Sequence, residues 1–281
     1  MIADTHIHIW DFRQAEYPWL KENTTLLNRN YGIQELEAQR AAVGITHGLL
    51  VQAANNLEDT DWMLKVAEKT PWMAGVVGWL PLQQPQKLVT LWEQRYRHQL
   101  LFKGVRHLIH DEPSEQWLLQ PAVLESLQML ASWSIPYDVV GITTRHLEAV
   151  LVVAEKIPNL QLVLNHLNQP PIPAGEKFGR WGELMQQAAT HKNIHCKISG
   201  MGTTCQKGAS WTSHDIEPYV NFVLQTFGTN KCFCGGDWPV SLLAGSYTHT
   251  WQQYQQIFQK LLNEREQCQI LFYNAAKFYG F

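Results

Sequence analysis

The sequence predicts an α/β protein that folds as a single (β/α)8 TIM-like barrel, and three observations lead to this prediction. Eight short apolar segments alternate with longer segments from one end of the chain to the other. The longer segments repeat apolar residues at helical spacing, and no linker or low-complexity segment interrupts the alternation. The chain has 281 residues, which is a typical length for one barrel domain. We therefore treat residues 1–281 as one domain.

The eight predicted strands are apolar runs that end at polar or turn-forming residues. In chain order they are Ile2–Trp10, Thr46–Ala53, Met73–Leu80, Phe102–Leu108, Tyr137–Val140, Leu160–His166, Ile194–Ser199 and Lys231–Gly235. Helical spacing of apolar residues predicts six helices, which are Asp59–Lys69, Pro121–Trp133, His146–Lys156, Trp181–His191, Ile216–Phe227 and Tyr247–Leu262. Alternating strands and helices are typical of a parallel sheet, and eight such strands can close into a barrel.

Two segments rich in turn-forming residues follow the sixth and seventh strands. Gln169–Gly182 contains three prolines and three glycines, and Gly200–Trp211 is rich in Gly, Thr and Ser. We expect both to be loops, because loops that follow barrel strands build the rim of the active site. An open, doubly wound sheet is the alternative architecture. It normally has a glycine-rich turn after its first strand, where this chain has His8–Asp11.

The charge and composition restrict the classes of molecule that we expect the protein to bind. The chain is 45% hydrophobic and 17% charged, with a net charge of -3 and a pI near 6.4. This balance gives no basic surface for nucleic acid or acidic membranes. No apolar run is long enough to cross a bilayer, and the start at Ile2–Asp4 lacks the features of a signal peptide. We therefore expect a cytoplasmic protein that acts on a small molecule, and its aromatic-rich helices leave room for a homodimer.

The five cysteines indicate free thiols rather than a disulfide framework. Their number is odd, and the sequence contains no CxxC pair. Cys232 and Cys234 lie two residues apart in a predicted strand, so their side chains share one face. That spacing can bind a metal, but two buried thiols in a reducing compartment are the favoured interpretation.

The first predicted strand carries the strongest local signal for chemistry. Strand side chains alternate between faces, so we expect Asp4, His6 and His8 to point one way. Polar groups on the inner face of a barrel are costly to bury unless they bind something. Two imidazoles at this spacing can bind one metal or one substrate oxygen. The alternative is a pair of core histidines that are bonded to backbone carbonyls.

Two further polar residues end apolar strands. His166 closes the run Leu160–Leu164, and Asp237 follows the last strand after Gly235 and Gly236. Catalytic residues of barrels lie at the carboxyl ends of the strands, and closure places the eighth strand beside the first. We therefore expect Asp237 to lie next to the histidines of the first strand. By itself, Asp237 is also consistent with a turn residue or a helix N-cap.

Candidate substrate-binding residues lie near the ends of the third and fourth strands and beside the catalytic candidates. Arg106 and His107 lie on opposite faces of the fourth strand, so at most one of them lines the pocket. Lys103 in the same strand is interpreted as a solvated lysine rather than a carboxylated metal-bridging one. Aromatic faces suit sugar rings, so three of the 12 tryptophans are candidate stacking platforms, with ordinary packing as the alternative: Trp10, Trp79 and Trp238.

Six segments, spread in order from the first strand to the C-terminus, together resemble one family. They are Asp4–Asp11 (DTHIHIWD), Gly104–His107 (GVRH) with Asp111–Pro113, Leu164–Pro171 (LNHLNQPP), Cys196–Gly200 (CKISG), Gly236–Val240 (GDWPV) and Asn274–Gly280 (NAAKFYG). The family that the chain resembles is the sugar-lactonase branch of the amidohydrolase superfamily. It includes L-fuconolactonase-like and L-rhamnonolactonase-like enzymes and 2-pyrone-4,6-dicarboxylate lactonase. The resemblance implies a distorted amidohydrolase-type barrel that hydrolyses a lactone ring.

The resemblance assigns four residues as the catalytic set and, if a metal is bound, as its ligands: His6, His8, His166 and Asp237. The chain also departs from the family pattern. Tyr137–Gly141 lacks the usual fifth-strand histidine, Asn165 replaces a frequent aspartate, and Asn168-Gln169 replaces Gly-Lys. The branch includes enzymes that work without metal. We therefore expect at most one divalent metal, zinc, weakly bound or non-essential, and no organic cofactor.

These expectations combine into a hypothesis of lactone hydrolysis. Asp237 accepts a proton from a water molecule, which attacks the carbonyl of an aldonolactone such as L-fucono- or L-rhamnonolactone. The imidazoles of His6, His8 and His166, with or without a metal, polarise the carbonyl and stabilise the oxyanion. The product is the sugar acid. A decarboxylase of the same superfamily and a non-catalytic sugar-binding barrel are the alternatives.

Overall fold

The protein is a barrel of eight parallel strands surrounded by helices. The computed structural model describes residues 1–175 and 177–281. Each strand pairs with its neighbours in the sequence, so the sheet order runs from β1 to β8. The strands are β1 (Ala3–Ile7), β2 (His47–Val51), β3 (Met73–Gly78), β4 (Phe102–His107), β5 (Tyr137–Val139), β6 (Leu162–Leu164), β7 (Ile194–Ile198) and β8 (Cys232–Cys234).

The first and last strands meet where the barrel closes. Ile7 and Trp238 form a parallel bridge, the His8 amide donates to the Trp238 carbonyl at 2.7 Å, and the Asp237 amide donates to the His6 carbonyl at 2.7 Å. The register shifts within the pairs β1–β2, β2–β3 and β3–β4, so the first half of the barrel is distorted. The predicted distorted (β/α)8 barrel is confirmed. The open sheet is wrong, because the strand order contains no reversal.

Eleven α-helices lie in the described residues, and they include all six predicted ones. They are α1 (Glu37–Ala42), α2 (Leu57–Glu68), α3 (Pro85–Leu91), α4 (Pro121–Ser132), α5 (Thr144–Lys156), α6 (Gly179–Thr190), α7 (Met201–Cys205), α8 (Ser213–Phe227), α9 (Tyr247–Leu261), α10 (Glu264–Cys268) and α11 (Asn274–Tyr279). The five that the sequence did not predict have five to seven residues, so their periodicity covers fewer than two turns. In the described part of the chain, none of the helices has the length and apolar character of a membrane span.

The two predicted loops contain helical residues. α7 lies inside Gly200–Trp211, and α6 begins at Gly179 within Gln169–Gly182. Residue 176 of the Gln169–Gly182 loop lies outside the described residues. α7 has only five residues, whereas α6 is the predicted helix Trp181–His191 with two additional residues at its start.

All eight strands are shorter than predicted, and the difference is largest for β1 and β6, where the chain leaves the sheet before His8 and His166. β1 ends at Ile7 rather than Trp10, and β6 has only three residues of the predicted Leu160–His166. A 3₁₀ segment, Asn165–Asn168, follows β6, and His166 within it has a φ of 54°. A residue with positive φ does not continue a strand, so His166 lies just beyond the end of β6.

Asp4 does not share a face with His6 and His8, contrary to the prediction. Its carboxylate accepts hydrogen bonds from the Tyr247 hydroxyl of α9 at 2.6 Å and from the Gly236 amide at 2.8 Å. Simple alternation fails because the register of β1 against β2 shifts after Asp4. Asp4 therefore fixes the segment after β8 against the surrounding helix, whereas the two imidazoles extend into the barrel.

The C-terminal helix fills the barrel from its amino-terminal end. Ala275 and Tyr279 of α11 belong to the same buried apolar cluster as inward-facing residues of β1, β2, β3, β6 and β8. The Tyr279 hydroxyl donates to Asp138 at 2.8 Å, and Lys103 Nζ donates to the Gly280 carbonyl at 2.7 Å. Lys103 is therefore bonded at the amino-terminal end of the barrel, opposite the carboxyl ends of the strands. A metal-bridging lysine is not expected there.

The cysteines are free thiols. Cys232 and Cys234 are fully buried in the apolar cluster between the strands and helices. The described residues contain one group of side chains with metal-binding geometry, and no cysteine belongs to it. The interpretation of this pair as buried thiols is confirmed.

Candidate active site

A cavity of about 240 Å³ opens at the carboxyl ends of the strands. It is lined by His8, Trp19, Ala53, Arg106, Leu108, His110, Val140, Ile142, His166, Gln169, Thr203, Asp237 and Val240. Three of the four predicted catalytic residues are in this lining. The fourth, His6, contacts them from the barrel interior, with its ring centroid 4.9 Å from that of His8 and 4.6 Å from that of His166.

The backbone around His166 and Asp237 has unusual conformations that bring both side chains to the cavity. Asp237 has a φ of 57°, which aspartate adopts more readily than most residues, and a cis peptide bond joins Trp238 to Pro239. Gly200, with a φ of 60°, packs against His166 so closely that a Cβ atom there would lie 2.5 Å from His166 Nδ1. Only glycine fits this position.

His8 and Asp237 face each other through two hydrogen-bond acceptors. His8 Nδ1 lies 2.7 Å from the Val51 carbonyl, which can only accept, so Nδ1 carries the proton and Nε2 carries the lone pair. That Nε2 lies 3.4 Å from Asp237 Oδ1, and His6 Nε2 lies 3.7 Å from the same oxygen. The alternative interpretation was a core histidine bonded to a backbone carbonyl. It accounts for Nδ1 of His8 but not for Nε2, which faces Asp237.

His166 is oriented by Ser199 at the end of β7. The Ser199 hydroxyl lies 2.9 Å from His166 Nδ1 and also accepts a hydrogen bond from the His166 amide at 3.3 Å. A side-chain partner on one ring nitrogen fixes the orientation of the ring and leaves Nε2 for the cavity. The sequence placed Ser199 at the end of a strand but gave it no function.

Burial determines the protonation states in the site. Removal from water lowers the pKa of His6, of His8 and of His166, the last to about 4, so all three imidazoles are neutral near pH 7. Burial alone would raise the pKa of Asp237, but His166, His8 and Arg106 outweigh it and lower that pKa below its ordinary value. The site therefore combines one ionised carboxylate with three neutral imidazoles.

Arg106 lines the same cavity and is buried, with 3% of its surface exposed. Its Nη2 donates to the Gln52 carbonyl at 2.6 Å, and its Nη1 lies 3.1 Å from His6 Nε2 and 3.4 Å from Asn165 Oδ1. Burial lowers the pKa of Arg106 to about 10, so the guanidinium stays charged near neutral pH. As alternation predicted, only one of the neighbours Arg106 and His107 lines the cavity.

His107 lies behind the cavity wall in a network of its own. Its Nδ1 accepts from Trp79 Nε1 at 2.9 Å, its Nε2 lies 2.7 Å from Glu112 Oε1, and its ring stacks on Trp117 at 4.0 Å between centroids. Neither His107 nor Trp79 is in the cavity lining. Their contact with substrate therefore stays a prediction, and the contacts that the structure shows for His107 are with Trp79, Glu112 and Trp117.

Trp10 and Trp238 are packed away from the cavity as well. Both are at most 1% exposed, and both contact Tyr31 edge-on, at 5.3 and 5.5 Å between centroids. Trp10 Nε1 also donates to the Arg29 carbonyl at 2.6 Å. The structure therefore places these rings in the packing role that was the alternative to sugar stacking.

Two residues that the sequence analysis did not select lie in the cavity wall instead. Trp19, in the 3₁₀ segment Pro18–Leu20 after β1, donates its indole N–H to the Ala53 carbonyl at 2.8 Å. His110 lies in a similar segment after β4, and its Nδ1 has no partner among the described residues. Long loops carry no periodic pattern, so the sequence offered no signal beyond the residue types.

The donor atoms of the site fit a divalent metal. One ligand atom each from His6, His8 and Asp237 lie within 4.8 Å of one another, and His166 is not part of this group. Two imidazole nitrogens and a carboxylate oxygen are ligands that zinc accepts. The acceptors His8 Nε2 and Asp237 Oδ1 face each other at 3.4 Å, and a cation or a proton between them removes their repulsion.

The whole chain matches one known protein family. A family model described as Amidohydrolase matches residues 3–281. The chain belongs to the amidohydrolase family. This result confirms the predicted family and identifies the protein as an enzyme, a hydrolase.

Individual relatives of this amidohydrolase include sugar lactonases. The chain is 30% identical to an L-fucono-1,5-lactonase from Burkholderia ambifaria, over 98% of the chain and 94% of that protein. It is 28% identical to an L-rhamnono-gamma-lactonase from Scheffersomyces stipitis, over 64% of the chain and 59% of the relative. The crystal structure of a zinc-bound amidohydrolase from Burkholderia multivorans superimposes with a TM-score of 0.91 at 27% identity, covering 100% of this chain and 99% of that one. The predicted resemblance to the lactonase branch is thereby confirmed.

Proposed function

We propose that the protein hydrolyses a sugar lactone, an aldonolactone such as L-fucono- or L-rhamnonolactone, to its sugar acid. The observation that carries this proposal is the contact of one buried carboxylate, Asp237, with His6 and His8 in the cavity at the strand ends. The names of the lactonase relatives indicate the substrate class. Lactones are activated esters, and a weakly activated water molecule is sufficient to open them.

In the proposed mechanism, Asp237 and His8 position the attacking water. Asp237 Oδ1 and His8 Nε2 both accept hydrogen bonds and lie 3.4 Å apart, so one water molecule can donate to both. Asp237 then takes a proton as that water attacks the lactone carbonyl. Its lowered pKa keeps it ionised for this step. The protonated carboxyl returns the proton to the ring oxygen as the ring opens.

His166 is the imidazole best placed to stabilise the oxyanion. In this proposal Ser199 donates its hydroxyl proton to His166 Nδ1, which lies 2.9 Å away, and the proton of the neutral ring is then on Nε2 as a donor toward the cavity. His8 presents a free acceptor nitrogen, so we assign it to orientation of the water rather than to direct polarisation of the carbonyl. The acceptor nitrogen of His6 is bonded to Arg106, so we assign His6 to packing behind the site. A divalent metal bound by His8 and Asp237, and by His6 when its Nε2 is not bonded to Arg106, would supply additional Lewis-acid polarisation.

The cavity wall favours a neutral substrate with an apolar edge. The cavity lining includes the apolar side chains of Leu108, Val140, Ile142 and Val240 and the ring of Trp19. In the described part of the chain, Arg106 is the only cationic side chain in the lining, and both of its terminal nitrogens already have protein partners. An uncharged deoxy-sugar ring suits such a wall, whereas a dicarboxylate would lack charge partners.

A pH-indicator screen of the purified protein against aldono-1,4- and aldono-1,5-lactones tests the proposal. We expect rapid acid release from one stereochemical subset, little from 2-pyrone-4,6-dicarboxylate, and only the spontaneous rate with Asp237→Asn. The screen is run with chelator and with added Zn²⁺. Acid release at the rate of the buffer blank for every lactone contradicts the proposal. Release of carbon dioxide from aromatic acids, or tight binding of lactones without hydrolysis, would replace it with one of the two alternatives.

A further inference from the structure

Arg106 contacts His6 at the nitrogen that a metal would use. Its Nη1 lies 3.1 Å from His6 Nε2, which is the same nitrogen that faces Asp237 Oδ1 at 3.7 Å. A guanidinium has donors but no acceptor, so His6 Nε2 accepts this hydrogen bond. An imidazole nitrogen has one lone pair in the ring plane. While Arg106 uses it, that lone pair is not available to a metal ion.

The other nitrogen of His6 offers no substitute. Because Nε2 accepts, the proton of the neutral ring is on Nδ1, which is buried and has no hydrogen-bond partner among the described residues. A protonated ring nitrogen cannot coordinate a metal. His8 differs, because its Nδ1 donates to the Val51 carbonyl and leaves Nε2 free beside Asp237.

Arg106 is fixed in this position by buried partners. Its Nη2 donates to the Gln52 carbonyl at 2.6 Å, and its Nη1 also approaches Asn165 Oδ1 at 3.4 Å. Asn165 donates to Asp138 at 3.0 Å, and Asp138 forms a buried ion pair with Lys197 at 2.7 Å. Moving the guanidinium aside would break several of these contacts away from water, which is costly.

We propose that Arg106 is an internal competitor of the divalent metal for His6, and that it sets the metal affinity of this site. With Arg106 in place, the group of potential ligands is reduced to His8 and Asp237. Without it, His6 joins them, and the site has three protein ligands, which is the usual number for a zinc site with an open position. The inference concerns the same site as the proposed function but does not depend on the substrate, since its test measures metal binding alone.

The test is a double-mutant cycle on metal affinity with wild type, Arg106→Gln, His6→Gln and the double variant. Zn²⁺ binding is measured by competition with a chromophoric chelator at fixed pH. We expect Arg106→Gln to tighten binding by about 10- to 100-fold, the equivalent of one charged hydrogen bond. His6→Gln should leave the affinity of the wild type unchanged but abolish the gain in the Arg106→Gln background. Arg180→Gln, which removes a surface arginine paired with Glu148 and Glu183, is the matched control and should change nothing.

Each result of the cycle decides the proposal. An unchanged affinity of Arg106→Gln overturns it. A purely electrostatic effect of Arg106 also overturns it, and is recognised because His6→Gln then weakens Zn²⁺ binding equally in both backgrounds. If Arg106→Gln does not fold, His6→Gln in the wild-type background remains decisive, since any clear loss of affinity shows that His6 is a ligand while Arg106 is present. X-ray absorption at the zinc edge provides an independent count, for which we expect one histidine ligand in the wild type and two in Arg106→Gln.

Discussion

Gly235 lies directly against His6 where the barrel closes. A Cβ atom on Gly235 would come within 2.4 Å of His6 Cβ and 2.8 Å of the His6 backbone nitrogen. The absence of a side chain lets the end of β8 approach β1, and two residues later the Asp237 amide donates to the His6 carbonyl at 2.7 Å. The contact between carboxylate and imidazoles therefore depends on a glycine that carries no chemistry itself.

Gly235→Ala should separate the catalytic residues. Because the added methyl group meets backbone and Cβ atoms rather than a flexible side-chain end, β8 must shift away from β1. We expect a loss of about 1–3 kcal/mol in the free energy of unfolding and a marked fall in kcat. Gly104→Ala in β4 is the control, since its nearest atoms would lie at an ordinary 3.4 Å. Normal turnover by Gly235→Ala would show that this close approach is not needed.

Asp237→Asn should abolish turnover while preserving the fold. The amide has nearly the shape of the carboxylate but cannot accept the proton of the attacking water, so we expect kcat to fall by about 10²- to 10⁴-fold. Steady-state kinetics, with the thermal midpoint as the check on folding, measure the effect. The affinity for the product acid should not weaken, because the variant removes a negative charge from the cavity. A kcat near that of the wild type would remove Asp237 from the mechanism.

His166 should make the folded state sensitive to acid. Burial lowers its pKa from its ordinary value of 6.5 to about 4, so between these values the unfolded chain binds a proton that the folded protein does not. The contribution of His166 to the free energy of unfolding is therefore complete above pH 6.5. It decreases by about 3 kcal/mol in total as the pH falls to about 4.

The comparison of wild type with His166→Asn isolates this effect. Asparagine tolerates the positive φ of the position, so the backbone need not change. Burial raises the pKa of Asp4 and of Asp59 to about 6, which gives the opposite slope, but both residues are present in both proteins. Urea unfolding from pH 4 to 7 should show that the stability of the wild type decreases relative to that of the variant as the pH falls. Parallel curves would mean that His166 is not held neutral by burial.

Lys197 and Asp138 should behave as a coupled pair inside the barrel. Both side chains are 0% exposed, and Lys197 Nζ lies 2.7 Å from Asp138 Oδ2. Lys197→Met leaves a buried carboxylate without its cation, so we expect a loss of about 3–5 kcal/mol in the free energy of unfolding. Asp138→Asn in the same chain should recover part of this loss, because it removes the unpaired charge. Additive losses in the double variant, measured by urea unfolding, would contradict the coupling.

The sequence predicted the strands, their order and the four residues near the strand ends because these features depend on local patterns. Apolar runs and helical spacing identify elements one at a time, and the closure of a parallel barrel then places His6, His8 and Asp237 together. Asp4 was misplaced because a register shift in β1 breaks alternation, which no pattern of residue types reveals.

The aromatic residues show the same limit. Trp10 and Trp238 were candidates because they flank site residues, but both are buried against Tyr31. Trp19 lines the cavity from a loop that has no periodicity. Whether an aromatic ring packs or faces a ligand depends on the chain segments that cover it, and these come from distant parts of the sequence.

The sequence by itself determined the barrel, its family and the residue types available for catalysis. Only the tertiary structure decided which group each histidine meets and, for His6 and His8, which ring nitrogen is the donor and which is the acceptor. The partners are the Val51 carbonyl for His8, Ser199 for His166 and Arg106 for His6. These partners are separated from the histidines by 33 to 100 residues along the chain, and they meet only because the strands that carry them share one barrel.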